Sequence, residues 1–268
     1  MRIMNLPRTT AQAANGAASL PRLVAADGAL EAVKWLALVL MTGDHVNKYL
    51  FNGTKEWLFD SGRIAMPLFV FVLAYNLARP GAMDRGVYQR TTWRLLVVGG
   101  VTMPAFVALG GLVAGWWPLN IMFTMAAIAG MLHLVDRDSV AGRAGAAGVF
   151  LAAGAMVEFW WPALALGLAV WLYSRRPSWT GIALAVAAFG GLWYVNGNPW
   201  ALAAVPIALG ASGAALRVSR LRWVFYAYYP AHLVALLLIR MPKRSAEGFD
   251  LRGIHATERH IMPYTQNF

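Results

Sequence analysis

The chain contains no cysteine among its 268 residues. This absence excludes cysteine nucleophiles, cysteine-ligated zinc sites, thiol redox motifs and palmitoylated cysteines. Charged residues are also scarce: they make up 13% of the chain and hydrophobic residues 59%, whereas a soluble domain has roughly 25% charged residues. The composition therefore excludes a soluble enzyme, a disordered chain and a disulfide scaffold. It predicts an all-α fold, a polytopic transmembrane helical bundle.

The formal net charge is +11, which in a soluble protein would suggest a nucleic-acid partner. Here most of the Lys and Arg residues lie between the hydrophobic runs, where basic residues hold cytoplasmic loops on the inside. We therefore interpret the charge as a topology signal and expect a lipid bilayer, and no nucleic acid, as the surrounding partner.

Hydropathy divides the chain into three parts. Residues 1–28 form a polar tail that we expect to be cytoplasmic, with no removable signal peptide. Residues 29–240 form the transmembrane domain, and residues 241–268 form a basic, polar C-terminal tail. About nine spans are predicted, with eight to ten compatible with the pattern. Their expected limits are 29–51, 60–79, 92–115, 119–135, 143–157, 160–174, 178–195, 199–216 and 223–240.

One stretch, residues 144–174, fits this scheme poorly because its only charge is Glu158. A single helix of that length would measure about 46 Å at 1.5 Å per residue, too long for a hydrocarbon core of about 30 Å without strong tilt. Two short helices that reverse near Glu158 keep the basic loops alternating between the two sides. We therefore predict two helices here and an inside N-terminus.

Two adjacent titratable residues, Asp44 and His45, fall inside the first predicted span. Polar residues at this depth are costly in lipid and are functional candidates by default. The alternative is an ion pair between Asp44 and Lys48 at i+4, with His45 on a wet surface. Arg63 begins the second span at nearly the same depth, and Pro67 suits a first helical turn or a kink. A simple ion pair between Asp44 and Arg63 that holds the two helices together is a further alternative, and it is compatible with a functional role.

A second histidine, His232, lies in the middle of the last span, two residues after Pro230. Proline frees a backbone carbonyl one turn earlier, so this position is expected to be locally polar. A helix–helix hydrogen bond explains such a histidine as well as a catalytic role does. Interhelical hydrogen bonds equally explain the weaker candidates Asn76, Asn120 and His133. No spacing typical of a P-loop, a dinucleotide-binding loop, a metal site or a serine hydrolase is present.

Several of these residues occur in segments that resemble the TraX family. The matching segments are LALVLMTGDH at 36–45, KEWLF at 55–59, GR at 62–63, PLF at 67–69, NLAR at 76–79, NIMF at 120–123 and YPAHL at 229–233. The family consists of inner-membrane proteins of conjugative plasmids that acetylate the N-terminus of the pilin subunit. The resemblance runs from about residue 30 to residue 239, although the middle third matches mainly in hydropathy.

The resemblance implies a multi-pass acyltransferase in the bacterial inner membrane. Its substrates would be acetyl-CoA and a pilin subunit, with no metal and no further cofactor. The carried-over catalytic candidates are Asp44, His45, Arg63 and His232. Further positions expected to bind substrate or donor are Glu56, Asn76, Arg79, Arg94 and Asn120. The resemblance assigns no role to Glu158.

The implied mechanism needs a base, because a terminal amine with a pKa near 7.7–8.0 is mostly protonated at neutral pH. His45, oriented by Asp44, would take the proton, while Arg63 would stabilise the oxyanion or hold the donor. His232 is the rival base. Arginines on the inner side, such as Arg79 and Arg94, would meet the donor phosphates.

Three other interpretations stay open from the sequence. A transporter would use the same polar residues to relay protons, but the sequence shows no inverted repeat. A non-catalytic pilin-assembly protein would tolerate the loss of His45. Another amide-forming modification of pilin, such as ring closure, would use the same chemistry.

Overall fold

The computed structural model describes residues 20–247, which form ten α-helices and one short 3-10 helix, with no β-strand in that range. The α-helices are α1 Asp27–Leu50, α2 Glu56–Gly62, α3 Ala65–Leu77, α4 Val87–Ala108, α5 Ile121–Asp136, α6 Val140–Gly154, α7 Trp160–Arg175, α8 Trp179–Asn196, α9 Ala204–Gly213 and α10 Arg222–Glu247. The 3-10 helix, Trp200–Ala203, precedes α9. The all-α prediction is confirmed for this part of the chain. The tails before residue 20 and after residue 247 lie outside the described residues.

Four helical segments are long and apolar enough to cross a membrane. They are Glu56–Leu77, which combines α2 and α3, Val87–Ala108, Trp179–Asn196 and Trp223–Met241. These segments fit a membrane protein. Helices α5 and α6 are apolar but only 16 and 15 residues long, which gives about 22–24 Å at 1.5 Å per residue. The number of spans therefore stays a prediction.

Two of the expected spans are wrong in their limits. The third, expected at 92–115, is a helix that ends at Ala108, because Gly110 takes a left-handed conformation with φ of 86°. The following segment folds back without helical structure, and the Trp117 indole donates a hydrogen bond to the carbonyl of Ala155. The second, expected at 60–79, is two helices that meet at Arg63 and Ile64.

The division of residues 144–174 into two helices is confirmed. Helix α6 ends at Gly154 and α7 begins at Trp160, so the chain reverses around Glu158. The predicted break between α8 and the next helix is also confirmed. Gly197 ends α8 with φ of 69°, a left-handed helix C-cap that glycine adopts at little cost.

Contacts between helix ends show that α1 and α3 run in opposite directions, whereas α5 and α7 run in the same direction. Asp27 at the start of α1 pairs with Arg79 after α3, and Asp136 at the end of α5 pairs with Arg175 at the end of α7. We call this the first end of the bundle. At the opposite end, which we call the second end, Arg240 of α10 donates to the carbonyl of Leu109 after α4. His45, in the last turns of α1, therefore lies toward the second end.

A buried hydrogen-bonded group ties α3, α4 and α7 together. The Tyr88 hydroxyl donates to the carbonyl of Leu77 at 2.8 Å and accepts from the Trp171 indole at 2.9 Å. Tyr88 is fully buried. Because buried polar groups need partners, this hydroxyl satisfies two groups that would otherwise be left unpaired.

We expect Tyr88→Phe to destabilise the bundle, because it leaves the Leu77 carbonyl and the Trp171 indole N–H unpaired in the interior. The expected cost is about 1–3 kcal/mol. Thermal unfolding of the purified protein in detergent measures it as a lower Tm. Tyr194→Phe is the control, because Tyr194 is 81% exposed and its substitution removes no internal contact. Equal Tm values for the two variants would contradict this prediction.

Candidate functional site

The first and last helices of the described chain are joined by two histidines. The Nδ1 atom of His45 on α1 lies 2.7 Å from Nε2 of His232 on α10. Their rings are nearly parallel, with centroids 5.0 Å apart. His232 is 7% exposed. The centroids of the Tyr228 and Tyr229 rings lie 5.2 and 5.4 Å from the centroid of its imidazole. The two histidines that the sequence singled out therefore form one contact pair.

The hydrogen bonds define the tautomer of each neutral ring. His232 Nδ1 lies 3.0 Å from the carbonyl oxygen of Tyr228, and a carbonyl only accepts, so Nδ1 carries the proton. The Nε2 atom of His232 is then the acceptor, and His45 Nδ1 is the donor. This leaves Nε2 of His45 as the unprotonated nitrogen of the pair, the atom that can act as a base.

The expected orientation of His45 by Asp44 is wrong. Asp44 instead accepts a hydrogen bond from the Arg63 guanidinium at 2.7 Å, in an ion pair whose side chains are 14% and 16% exposed. Consecutive residues of an α-helix point about 100° apart, so Asp44 and His45 face different neighbours. The alternative pairing with Lys48 is also not found. The Lys48 ammonium lies over the Tyr49 ring, 5.6 Å from its centroid.

The break between α2 and α3 positions Arg63 against α1. Its Nε donates to the carbonyl of Phe59, and its guanidinium lies 4.3 Å from the centre of the Phe59 ring. Gly62 allows the close approach, since a Cβ atom there would lie 2.4 Å from the Cβ of Asp44. Pro67 falls in the first turn of α3, where a missing backbone N–H costs nothing.

A carboxylate that the sequence left without a role, Glu158, interacts electrostatically with this ion pair. Glu158 lies in the turn between α6 and α7, within electrostatic range of Lys48, Arg63 and Asp44. Burial is the main cause that raises the pKa of Glu158, to about 7, while Lys48, Arg63 and a hydrogen bond from the Ile121 backbone N–H act to lower it. The same Ile121 N–H interacts with Tyr229, so Glu158 and Tyr229 are neighbours.

Two of the arginines expected to bind the donor lie away from this cluster. Arg79 pairs with Asp27 at 2.5 Å, at the first end of the bundle. Arg94 lies over the ring of Trp223 at 5.0 Å, where α4 meets the start of α10. Their binding roles stay predictions.

Two of the remaining three candidates, Asn120 and Asn76, make local hydrogen bonds, and the binding roles of all three stay predictions. Asn120 is fully buried; its side-chain oxygen caps the start of α5, and its amide donates to the Gly99 carbonyl at 3.0 Å. Asn76 donates to the carbonyl of Val72 in its own helix, and Glu56 is exposed in the first turn of α2. Within residues 20–247, no group of three His, Cys, Asp or Glu side chains is arranged to hold a metal ion.

Comparison with known proteins gives the family. The family model described as TraX protein matches residues 29–240. The chain belongs to the TraX family. This confirms the resemblance seen in the sequence, and the matched range coincides with the predicted transmembrane domain.

Two relatives, both named Protein TraX, were found in Escherichia coli. One is 32% identical over 118 residues and the other, from strain K12, is 33% identical over 119 residues. Each match covers 44% of this chain and 44% of the relative. No solved structure matches.

We expect Gly62→Ala to disrupt the junction of α1 and α2, because the new methyl group would overlap Asp44. Overpacking of this kind costs about 1–3 kcal/mol, measured as a lower Tm in detergent. The control is Gly100→Ala, since nothing lies within 4 Å of a Cβ atom at that helical position. That variant should be neutral or up to about 1 kcal/mol more stable. A Gly62→Ala protein as stable as the control would show that α1 and α2 do not meet as described.

The raised pKa of Glu158 predicts a pH-dependent stability. Because the folded state holds the proton more tightly than the unfolded chain, the stabilisation is complete at low pH and is lost as the pH rises through about 7. The charged and titratable groups that interact with this carboxyl include Asp44, Lys48, Arg63, Tyr49 and Tyr229, and the Ile121 N–H also faces it. We expect the Tm of the unmodified protein, measured relative to that of Glu158→Gln, to fall from pH 5.5 to pH 8, roughly one unit or more on either side of that pKa. The subtraction removes the contribution of every other titrating group, so a Tm difference that does not change with pH would contradict the assignment.

Proposed function

We propose that this chain is an acetyltransferase of the bacterial inner membrane. It transfers an acetyl group from acetyl-CoA to the N-terminal amine of a conjugative pilin subunit, with its own N-terminus on the cytoplasmic side. The observation that carries the proposal is the chain of contacts from His45 to His232 to the Tyr228 carbonyl. The family's resemblance supplies the substrates, and the histidine pair supplies the chemistry that those substrates need.

His45 is the base in this mechanism. Its unprotonated Nε2 takes a proton from the acceptor amine as the amine attacks the thioester carbonyl. The resulting imidazolium still donates through Nδ1 to His232, so the positive charge is shared along a hydrogen-bonded chain that ends on the Tyr228 carbonyl. A carbon–nitrogen bond forms, the carbon–sulfur bond breaks, and the proton on His45 passes to the leaving thiolate.

Arg63 supplies positive charge to the oxyanion that develops on the thioester. Its contacts with Asp44 and Phe59 hold the guanidinium in place and leave other N–H groups for a ligand. An immobile donor in a dry site stabilises a developing charge better than water does, because it pays no reorganisation cost during the reaction. Asp44 therefore acts on Arg63 and not on His45.

The two arginines proposed for the donor differ in distance from the histidine pair. Arg94 contacts Trp223, which precedes His232 by nine residues on α10, or about 14 Å along the axis. Arg79 pairs with Asp27, 18 residues before His45 on α1, or about 27 Å. The shorter distance favours Arg94 as the contact for the donor phosphates, with the acyl-bearing arm extended between α1 and α10.

The test is the intact mass of a conjugative pilin co-expressed with this protein. We expect the unmodified protein to add one acetyl group at the pilin N-terminus. His45→Ala should abolish the addition, because it removes the base. His232→Ala should reduce it by about 10²–10⁴-fold, the usual contribution of a positioned acid–base group.

The control is His133→Gln at matched membrane levels, because His133 lies on α5 beside Tyr88 and away from the pair. An unmodified pilin whose assembly still depends on this chain would replace the proposal with a scaffold role. Loss of one water from the pilin would indicate ring closure. Full acetylation by the His45→Ala protein would remove His45 from the mechanism.

A further inference from the structure

We propose that Glu158 binds the α-ammonium group of the acceptor and so selects substrates with a free N-terminal amine. The inference rests on the proposed function, since it assigns the acceptor side of the same site. Glu158 would then be the residue that meets the substrate before the histidines do. Neither the family resemblance nor the polar pattern of the sequence assigns it this role.

The position of Glu158 is built by several backbone contacts. Its N–H donates to the carbonyl of Leu119 at 3.1 Å, and its carbonyl accepts from the Thr124 hydroxyl at 3.0 Å. The N–H of Leu119 in turn donates to the carbonyl of Met156 at 2.8 Å. These hydrogen bonds join the turn to the start of α5, so the backbone at Glu158 has a defined place in the bundle.

The residues that follow Glu158 are in an uncommon conformation. Phe159 and Trp160 have φ values of 61° and 50°, in the left-handed region that bulky residues rarely enter. Two consecutive residues of this kind persist only where surrounding contacts enforce them, and such positions cluster at functional sites. Here they reverse the chain within five residues, between the end of α6 and the start of α7, and keep Glu158 at the apex.

Glu158 lies within electrostatic range of Lys48 and Arg63 but forms no ion pair with either. Among the ion pairs of residues 20–247, none includes this carboxylate. Arg63 forms its ion pair with Asp44, and the side chain of Lys48 is exposed to the surroundings of the protein. A carboxyl group in partly buried surroundings without an ion pair is a site at which a ligand ammonium would be favoured. Tyr229 links this position to the histidines, because it neighbours Glu158 and contacts the His232 ring.

The charge on the acceptor determines the order of events. A terminal amine arrives mostly as ammonium at neutral pH, and the Glu158 carboxylate holds it. The ammonium first gives one proton to His45 Nε2, which releases it to solvent. The free amine then attacks the thioester, and its second proton passes through His45 to the leaving thiolate as the carbon–sulfur bond breaks. Glu158 takes no proton in this sequence. It is a binding residue, whose loss weakens acceptor binding more than it slows the chemical step.

Binding of labelled peptides to the purified full chain in detergent tests the proposal. The probes are a peptide with the mature pilin N-terminus and the same peptide with a formylated N-terminus, each labelled at its C-terminus. We expect the unmodified protein to bind the free-amine peptide at least tenfold more tightly. Glu158→Gln should remove this preference, whereas His45→Gln should retain it. The matched control is Asp60→Asn, an acid at the same end of the bundle whose partner is the Asn198 amide.

Transfer kinetics give an independent measure. With Glu158→Gln we expect KM for the free-amine peptide to rise about tenfold or more, with kcat changed less than threefold. Glu158→Gln retains an oxygen that accepts from Ile121, so a Tm close to that of the unmodified protein at pH 6 verifies folding. Equal affinity of the unmodified protein for both peptides would overturn the proposal. So would a fall in kcat alone, which would make Glu158 an acid–base group.

The two proposals fail separately. If the unmodified protein shows the amine preference but transfers no acetyl group, the acetyltransferase function fails and the amine site stands. If acetyl transfer is measured and Glu158→Gln leaves both KM and the peptide preference unchanged, the amine site fails and the transferase stands.

Discussion

The cost of an unpaired polar group in an apolar bundle governs this structure. Hydrocarbon offers no hydrogen-bond partners, so each polar side chain at this depth must find one inside the protein. His45 finds His232, and Asp44 finds Arg63. Each pair joins α1 to a helix or junction distant in sequence, so the same contacts that satisfy polar groups also bring the candidate site together.

Helix α1 is the common element of the site because it presents different residues to different neighbours. Asp44 faces the α2–α3 junction and His45 faces α10, since adjacent residues diverge by about 100° around the helix. This geometry separates two functions that the sequence suggested were one. The ion pair holds Arg63, while the histidines form their own hydrogen-bonded chain. An adjacent acid and imidazole in a helix are therefore poor evidence for an acid–imidazole dyad.

Much of the fold could be predicted from hydropathy and charge. The reversal at Glu158 followed from the alternation of basic loops, and the break after α8 followed from the Asn-Gly-Asn-Pro sequence at 196–199. The end of α4 could not be predicted in this way. Its apolar pattern continues beyond Gly110, and only the left-handed backbone there shows that the helix has stopped. The number of spans depends on tilt and burial in the bundle, which hydropathy does not measure.

Four residues of the candidate site could be predicted, because each is a polar residue in or beside an apolar run. They are Asp44 and His45 on α1, Arg63, and His232. The ion pair of Asp44 with Arg63 was among the alternatives that the sequence offered, and the structure confirms it. The contact of His45 with His232 was not, since the rotation of each helix about its axis decides it. Glu158 was visible as a lone charge, but its approach to Lys48 and Arg63 depends on contacts between the α6–α7 turn and the start of α5. Those contacts are made by backbone groups and a buried threonine, which no residue pattern reveals.

The two pairs, Asp44 with Arg63 and His45 with His232, also explain why His45 contacts a second histidine and not a carboxylate. A carboxylate beside His45 would place a net negative charge in the bundle at rest, and burying an uncompensated charge is costly. Two neutral imidazoles carry none, while the permanent charges of Asp44 and Arg63 cancel within 2.7 Å. Charge then arises on His45 only when it accepts a proton. In the proposed mechanism the Asp44–Arg63 pair would hold Arg63 in place and the histidine pair would exchange protons. Glu158, which forms no ion pair among the described residues, would be left for the ammonium of the substrate.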